Sequence, residues 1–331
     1  MTRRVVVVLM CLLSGCSTLS RSDTHEAPRT VVITGASSGF GKGVALALAA
    51  RGDNVVLAAR RTEPLQEVAR SAGSNALVVT TDVSNPADVE KLGRAAIERF
   101  GHIDIWINNA GVGALGRFED VPLQDHVRVI DVNLKGALYG SYFAMRHFRD
   151  RGHGTLINIA SVAGRVPFPY YSSYVSSKHA LVGLGDALNQ ELKTGHSRDI
   201  HVVTVNPFAA DTPWFDHAAD YTGHRPRSVM LDPPEKVVAA IVRATDRPRK
   251  QINVGYKAAA AVASQRLSRT LTESTVAAVI DRAQMVKAPP AEPTTGSLYT
   301  PMQEGVDVAG GVRARIAAED SAREDAEAAR R

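Results

Sequence analysis

From Thr30 the chain runs Val31-Val32-Ile33, meets Thr34-Gly35-Ala36-Ser37-Ser38-Gly39-Phe40-Gly41, and continues into the Ala/Leu-rich stretch from Lys42 to Arg51. A strand, a glycine turn and a helix in that order make a phosphate-binding arrangement, because small residues let backbone N–H groups and the helix N-terminus approach a pyrophosphate. The spacing is Gly-x-x-x-Gly-x-Gly, not the Gly-x-Gly-x-x-Gly of the general dinucleotide fingerprint. Taken alone, such a loop is also simply a tight turn.

The following stretches repeat the alternation. Asn54–Ala59, Ala76–Thr80 and Ile103–Ile107 read as strands, and Pro86–Phe100 as a helix with Pro86 near its first turn and Gly101 closing it. A helix from about Pro234 to Ala244 and a strand at Ile252–Val254 complete the set. Short apolar strands alternating with amphipathic helices predict an α/β fold: a three-layer, doubly wound parallel sheet of the Rossmann type, as a single domain. Such sheets bind ligands at the C-terminal ends of their strands, where Asn108-Asn109-Ala110-Gly111 falls. The second strand ends in Arg60-Arg61, at a point where NAD-selecting domains usually carry an acid. Arginine there suits the extra phosphate of NADP, so NADP(H) is expected over NAD(H), although Arg61 equally serves as a solvated start to the next helix.

Further along, Ser161 precedes a Gly/Pro-rich turn and then Tyr174-Val175-Ser176-Ser177-Lys178. A spacing of four puts Tyr174 and Lys178 on one helical face. A phenol with an ordinary pKa of about 10 is a poor acid or base at neutral pH, and a neighbouring ammonium moves it toward usefulness. With Ser161 holding a substrate oxygen, the trio suits proton exchange with an alcohol or carbonyl.

In combination these pieces, together with Asp82, Asn133 in Val132-Asn133-Leu134 and Asn206-Pro207, resemble the short-chain dehydrogenase/reductase family over roughly residues 28 to 257. The resemblance implies that Tyr174 exchanges the substrate proton and that Ser161 orients the oxygen. Lys178 would hold the nicotinamide ribose and lower the Tyr174 pKa, and Asn133 would steady a water beside Lys178. The cofactor would lie against Gly35, Ser37, Ser38, Gly39, Phe40, Gly41, Arg60, Arg61, Asp82, Val83, Asn109, Ala110, Gly111, Pro207 and Thr212. Two departures stand out: Phe40 where the family often has Ile, and Phe208 where it usually has glycine. The implied activity is NADP(H)-dependent interconversion of an alcohol and a ketone or aldehyde. Val166, Phe168, Tyr171, Phe208, Trp214 and Phe215 point to a lipophilic substrate, with the loop Phe208 to Phe215 as a lid. The alternatives are a membrane-associated dinucleotide-binding scaffold or sensor, and an isomerase or epimerase on the same fold.

The net charge of +5 is modest and the basic residues are scattered, which gives no case for nucleic acid. Both cysteines, Cys11 and Cys16, precede the folded part, so neither a disulfide nor a cysteine metal site is expected there, and no metal is expected elsewhere. Residues 1–27 read as an export leader: Arg3-Arg4, an apolar run from Val5 to Leu13, then Leu13-Ser14-Gly15-Cys16, which resembles a lipobox. Membrane anchoring through Cys16 is the expectation, a cytoplasmic enzyme the alternative. Residues 258–331 form a C-terminal extension: a helical pattern over Ala258–Lys287 able to cover the cleft, an interface or a membrane, a Pro-rich linker, and a charged tail from Ala317, helical or disordered. Leu181, Leu184 and Leu188 on the Tyr174 helix suggest a homo-oligomer.

Overall fold

The computed structural model describes residues 28–329, and the expected leader, with Cys11 and Cys16, lies outside them. β1 (Thr30–Thr34), α1 (Gly39–Ala49), β2 (Asn54–Ala59), α2 (Thr62–Ala72), β3 (Ala76–Thr80), α3 (Pro86–Phe100) and β4 (Ile105–Asn108) alternate as the sequence predicts. These strands are apolar on both faces, and a strand so composed must be covered on both sides. Val31, Ile33 and Leu57 pack with Leu48 of α1 and Leu65 of α2. Val32, Val56 and Trp106 pack on the opposite face with Leu92 of α3. α3 begins where the Asn85 side chain accepts the Ala87 N–H at 3.0 Å and ends at Gly101 in the left-handed region.

The second half contributes β5 (Ala114–Leu115), α4 (Leu123–Ile130), a π-helical turn (Asp131–Lys135), α5 (Gly136–Arg151), β6 (Gly154–Ile159), α6 (Ser172–Thr194) and β7 (Ile200–Asn206). α7 (Trp214–His217), β8 (Ala219–Asp220), α8 (Pro234–Asp246) and β9 (Gln251–Asn253) follow. Seven strands form one parallel sheet in the order β3-β2-β1-β4-β6-β7-β9, the doubly wound architecture expected. The winding reverses between β1 and β4, which opens a crevice at their C-terminal ends. Thr34 and Asn109 pin it: Thr34 Oγ1 accepts the Asn109 N–H at 2.9 Å, and Asn109 Nδ2 donates to the Thr34 carbonyl at 2.9 Å.

The expected boundary after residue 257 falls inside α9 (Gly255–Leu267), which pairs with α10 (Arg269–Asp281) and a π-helical turn (Arg282–Lys287). Residues 288–311 then run as a strap of extended chain and turns before α11 (Val312–Ala329). The charged tail is a docked helix: the buried Arg227 guanidinium donates to Asp320 at 2.8 Å, and Val312 N–H donates to Asp211 at 2.7 Å. Leu181 is buried in the protein's own core, while Leu184 and Leu188 are half-buried against it. Large exposed apolar side chains lie instead on α4 and α5, with Leu123 73% and Tyr142 64% exposed. Among the described residues, no helix is long and apolar enough to cross a membrane.

Candidate active site

The crevice opens into a cavity of about 840 Å³. One end is the glycine loop. Gly35 sits at φ 70°, and a Cβ on Gly41 would lie 2.2 Å from the Gly35 carbonyl oxygen, so α1 can approach β1 this closely only with glycine at both positions. Gly35, Ser37, Ser38, Gly39 and Phe40 line the cavity with Asp82, Val83, Asn109, Ala110, Gly111, Pro207 and Thr212. Gly41 does not; it lies buried beneath the loop and serves packing. A cradle of small residues at the start of an eleven-residue helix, continuous with the ends of β1, β2 and β4, fits the diphosphate and sugars of a dinucleotide. Among the described residues no cluster of three or more His, Cys, Asp or Glu could hold a metal ion.

The other end gathers the serine, tyrosine and lysine named from the sequence. Ser161 follows β6, and its Oγ accepts the Ala163 N–H at 3.1 Å, capping a short turn. α6 carries Tyr174 and Lys178 one turn apart, and Ser161, Tyr174 and Lys178 all face the cavity. The Ser161 hydroxyl lies close enough to the Tyr174 phenol to pull its pKa down. Lys178 Nζ lies 5.5 Å from the centre of the Tyr174 ring and donates to the Ile159 carbonyl at 2.9 Å. Burial pushes the phenol up to about 12, against the downward pull of Ser161, and pushes the Lys178 ammonium down to about 8. The expected lowering of Tyr174 by Lys178 is therefore overturned in the free protein: the enclosure that brings them together penalises both charged forms.

Asn133 does not reach the cavity wall. It sits in the π-helical turn behind Gly111, where its Oδ1 accepts the Val112 N–H at 2.8 Å and its Nδ2 donates to the Val112 carbonyl at 2.9 Å and to Ser177 Oγ at 3.1 Å. Bonded to both the N–H and the carbonyl of one residue, Val112, it holds the strand-end loop against α6. Trp214 stands over Tyr174 with ring centres 5.0 Å apart, and all six apolar residues named from the sequence line the cavity.

Arg60 and Arg61 border the glycine end, but their N–H groups are turned to the strap. Arg60 donates to the carbonyls of Ser297, Leu298 and Tyr299, and Arg61 to those of Met302 and Glu304 and to the hydroxyls of Ser37 and Ser38. The strap also takes the Gly39 N–H through the Asp307 carbonyl at 2.9 Å, while Ser297 and Pro301 form cavity wall. Burial lowers both guanidinium pKa values, with Arg60 adding repulsion at Arg61. Burial alone would raise the Asp82 carboxyl, but Arg128 at 2.8 Å and Ser84 hold it below the usual range. The strap and the linings from α9 and α10 are absent from the sequence-derived site list; the helical spacing over Ala258–Lys287 was the available signal for the helices, and nothing marks the strap.

A family model described as short chain dehydrogenase matches residues 29–221. The chain belongs to that family. As a short-chain dehydrogenase it is an oxidoreductase acting on CH–OH groups with a fold that binds NAD(P). It is 34% identical over 277 residues to the uncharacterized oxidoreductase YxnA of Bacillus subtilis, covering 82% of this chain and 78% of the relative. It is also similar to a short-chain dehydrogenase/reductase of Burkholderia phymatum in complex with NAD, at TM-score 0.66 and 28% identity over 74% of this chain and 95% of that one. An alcohol dehydrogenase of the archaeon Thermococcus sibiricus complexed with 5-hydroxy-NADP matches at TM-score 0.58 and 26% identity, over 68% of this chain and 94% of that one.

Proposed function

We propose that this short-chain dehydrogenase reduces a lipophilic ketone or aldehyde with NADPH, Tyr174 delivering the proton. The observation that carries the reading is the meeting of Ser161, Tyr174 and Lys178 at one end of the cavity whose other end is the glycine cradle. When bound, the nicotinamide supplies the hydride. Gly35, Ser37, Ser38, Asn109 to Gly111 and Thr212 would hold the cofactor. The chain's own residues do the rest. Ser161 and the Tyr174 phenol donate hydrogen bonds to the substrate oxygen, and as negative charge grows there the phenolic proton passes to it. Lys178, cationic at neutral pH, steadies the phenolate left behind. A phenol held near 12 starts protonated, which suits the reductive direction.

NADP(H) is favoured by charge. Among the described residues, Arg60 and Arg61 are hydrogen-bonded only to neutral carbonyls and hydroxyls, and two adjacent, partly desolvated cations gain most from a doubly charged phosphate. Structural neighbours hold either cofactor type, so titration of the protein with NADPH and with NADH, read by cofactor fluorescence, is the deciding comparison. Equal affinities would remove the NADP preference. For the chemistry, Tyr174→Phe is expected to bind NADPH normally and to lose carbonyl reduction by at least about 100-fold; full activity in that variant would remove the tyrosine from the mechanism. Self-association is proposed through the exposed apolar faces of α4 and α5.

A further inference from the structure

The cavity does not end at Tyr174. Beyond the phenol, Lys257, Ala260, Ala261 and Ser264 of α9 continue the lining. Across from them α10 contributes Thr272, Thr275, Val276, Val279 and Ile280, a spacing that turns one stripe of the helix inward. The stripe begins near the chemistry: Ile280 packs on the same buried cluster of Leu115, Tyr171 and Ala218 as Tyr174 and Trp214, and Val276 on the same cluster of Val162, Val166 and Val262 as Phe168 and Phe208. Its other end reaches solvent, because Met230, Tyr256 and Leu271 line the same cavity while 63%, 75% and 68% exposed. Large apolar side chains collected at a cavity mouth mark an entry for apolar material.

Two hydroxyls and both cations of this chamber are already engaged. Ser264 Oγ donates back to the Ala261 carbonyl at 2.9 Å and Thr275 Oγ1 to that of Leu271 at 2.8 Å. The two cations are paired, Arg227 with Asp320 at 2.8 Å and Lys257 with Asp232 at 2.9 Å. A phosphate, carboxylate or sugar placed here would lose water and find no free partner among them, whereas an alkyl chain would lose nothing.

We infer that the substrate is an uncharged lipophile with an elongated apolar tail, its reacting oxygen at Tyr174 and its tail lying between α9 and α10 with the far end at the mouth beside Met230 and Leu271. This rests on the carbonyl-reductase reading above and narrows its substrate class.

The test is reduction of a homologous series of straight-chain methyl ketones by the full chain with NADPH. kcat/KM is expected to rise about fourfold per added methylene until the tail reaches the mouth, then level off. Val276→Trp, which fills the passage, should cut the ratio of long-chain to short-chain kcat/KM by about tenfold or more. Leu271→Gln, at an exposed rim position where folding is not at stake, should lower kcat/KM for the longest members more than for the shortest. A series flat with chain length, or a slope that survives both substitutions, overturns the inference. Failure of the underlying reading looks different: NADPH binds and no ketone of any length is reduced.

Discussion

Tyr174 and Lys178 share one enclosure, and that enclosure sets the pH behaviour. Lys178 is charged below about 8 and neutral above it, whereas Tyr174 stays protonated up to about 12. In the reductive direction, kcat/KM, which reports the free enzyme, is therefore expected to hold at neutral pH and fall as pH rises through about 8, because the cation that steadies the phenolate is lost. A profile flat from neutral to strongly alkaline pH would contradict this. Stability carries the opposite sign over part of the same range. Between about 8 and the ordinary lysine value the unfolded chain binds the proton that folded Lys178 has given up, so Lys178 makes the protein more stable as pH rises there. Above the ordinary tyrosine value Tyr174 reverses the trend, since its folded pKa is the higher one. Denaturant melts across alkaline pH, compared between wild type and Lys178→Met, would read out the first effect. At the glycine cradle, Gly41→Ala would set a methyl group 2.2 Å from the Gly35 carbonyl, and is expected to abolish NADPH binding or soluble expression. The identities of Ser161, Tyr174 and Lys178 were legible from order and spacing. The pKa direction of Tyr174 was not, because burial is decided by Trp214 and α10, residues distant in the chain.

At the level of elements, the strap ties the C-terminal extension to the glycine end of the cavity. It is fastened by Leu298, fully buried with Val121 and Val129, and its neighbouring carbonyls face Arg60, Arg61 and the Gly39 N–H. Leu298→Ala removes the fastening at a cost of about 2–5 kcal/mol to the packed state. The expected result is NADPH dissociation faster by about tenfold or more in stopped-flow fluorescence, with an unchanged off-rate counting against a role for the strap in retention. Strands and helices through β4 were readable because side-chain periodicity dictates them. The strap was not, since its contacts are made by backbone carbonyls, which every residue carries alike. Its prolines announced only an interruption. The helix of the tail was also open to a disordered reading, because α11 is held mainly by Arg227, Asp320 and other single polar contacts and carries little apolar stripe.

For the molecule as a whole, the alternation of apolar strands and helices sufficed to give the doubly wound sheet, but it could not say which surface stays uncovered. Of the leucines of α6, Leu181 is buried and Leu184 and Leu188 are half-covered by the protein's own core. Leu123 and Val127 on α4 and Leu138 and Tyr142 on α5 form an exposed apolar set away from the cavity mouth. Light scattering of the purified protein should find a dimer or larger, and Leu123→Asp with Tyr142→Asp should shift it to monomer while the fold persists; an already monomeric wild type would dismiss self-association. Some 266 positions separate Gly35 from Pro301, yet both line one cavity. During synthesis on the ribosome the cradle therefore emerges early and its covering wall late, so a nascent chain can sample nucleotide freely and can retain it only once translation has passed the strap.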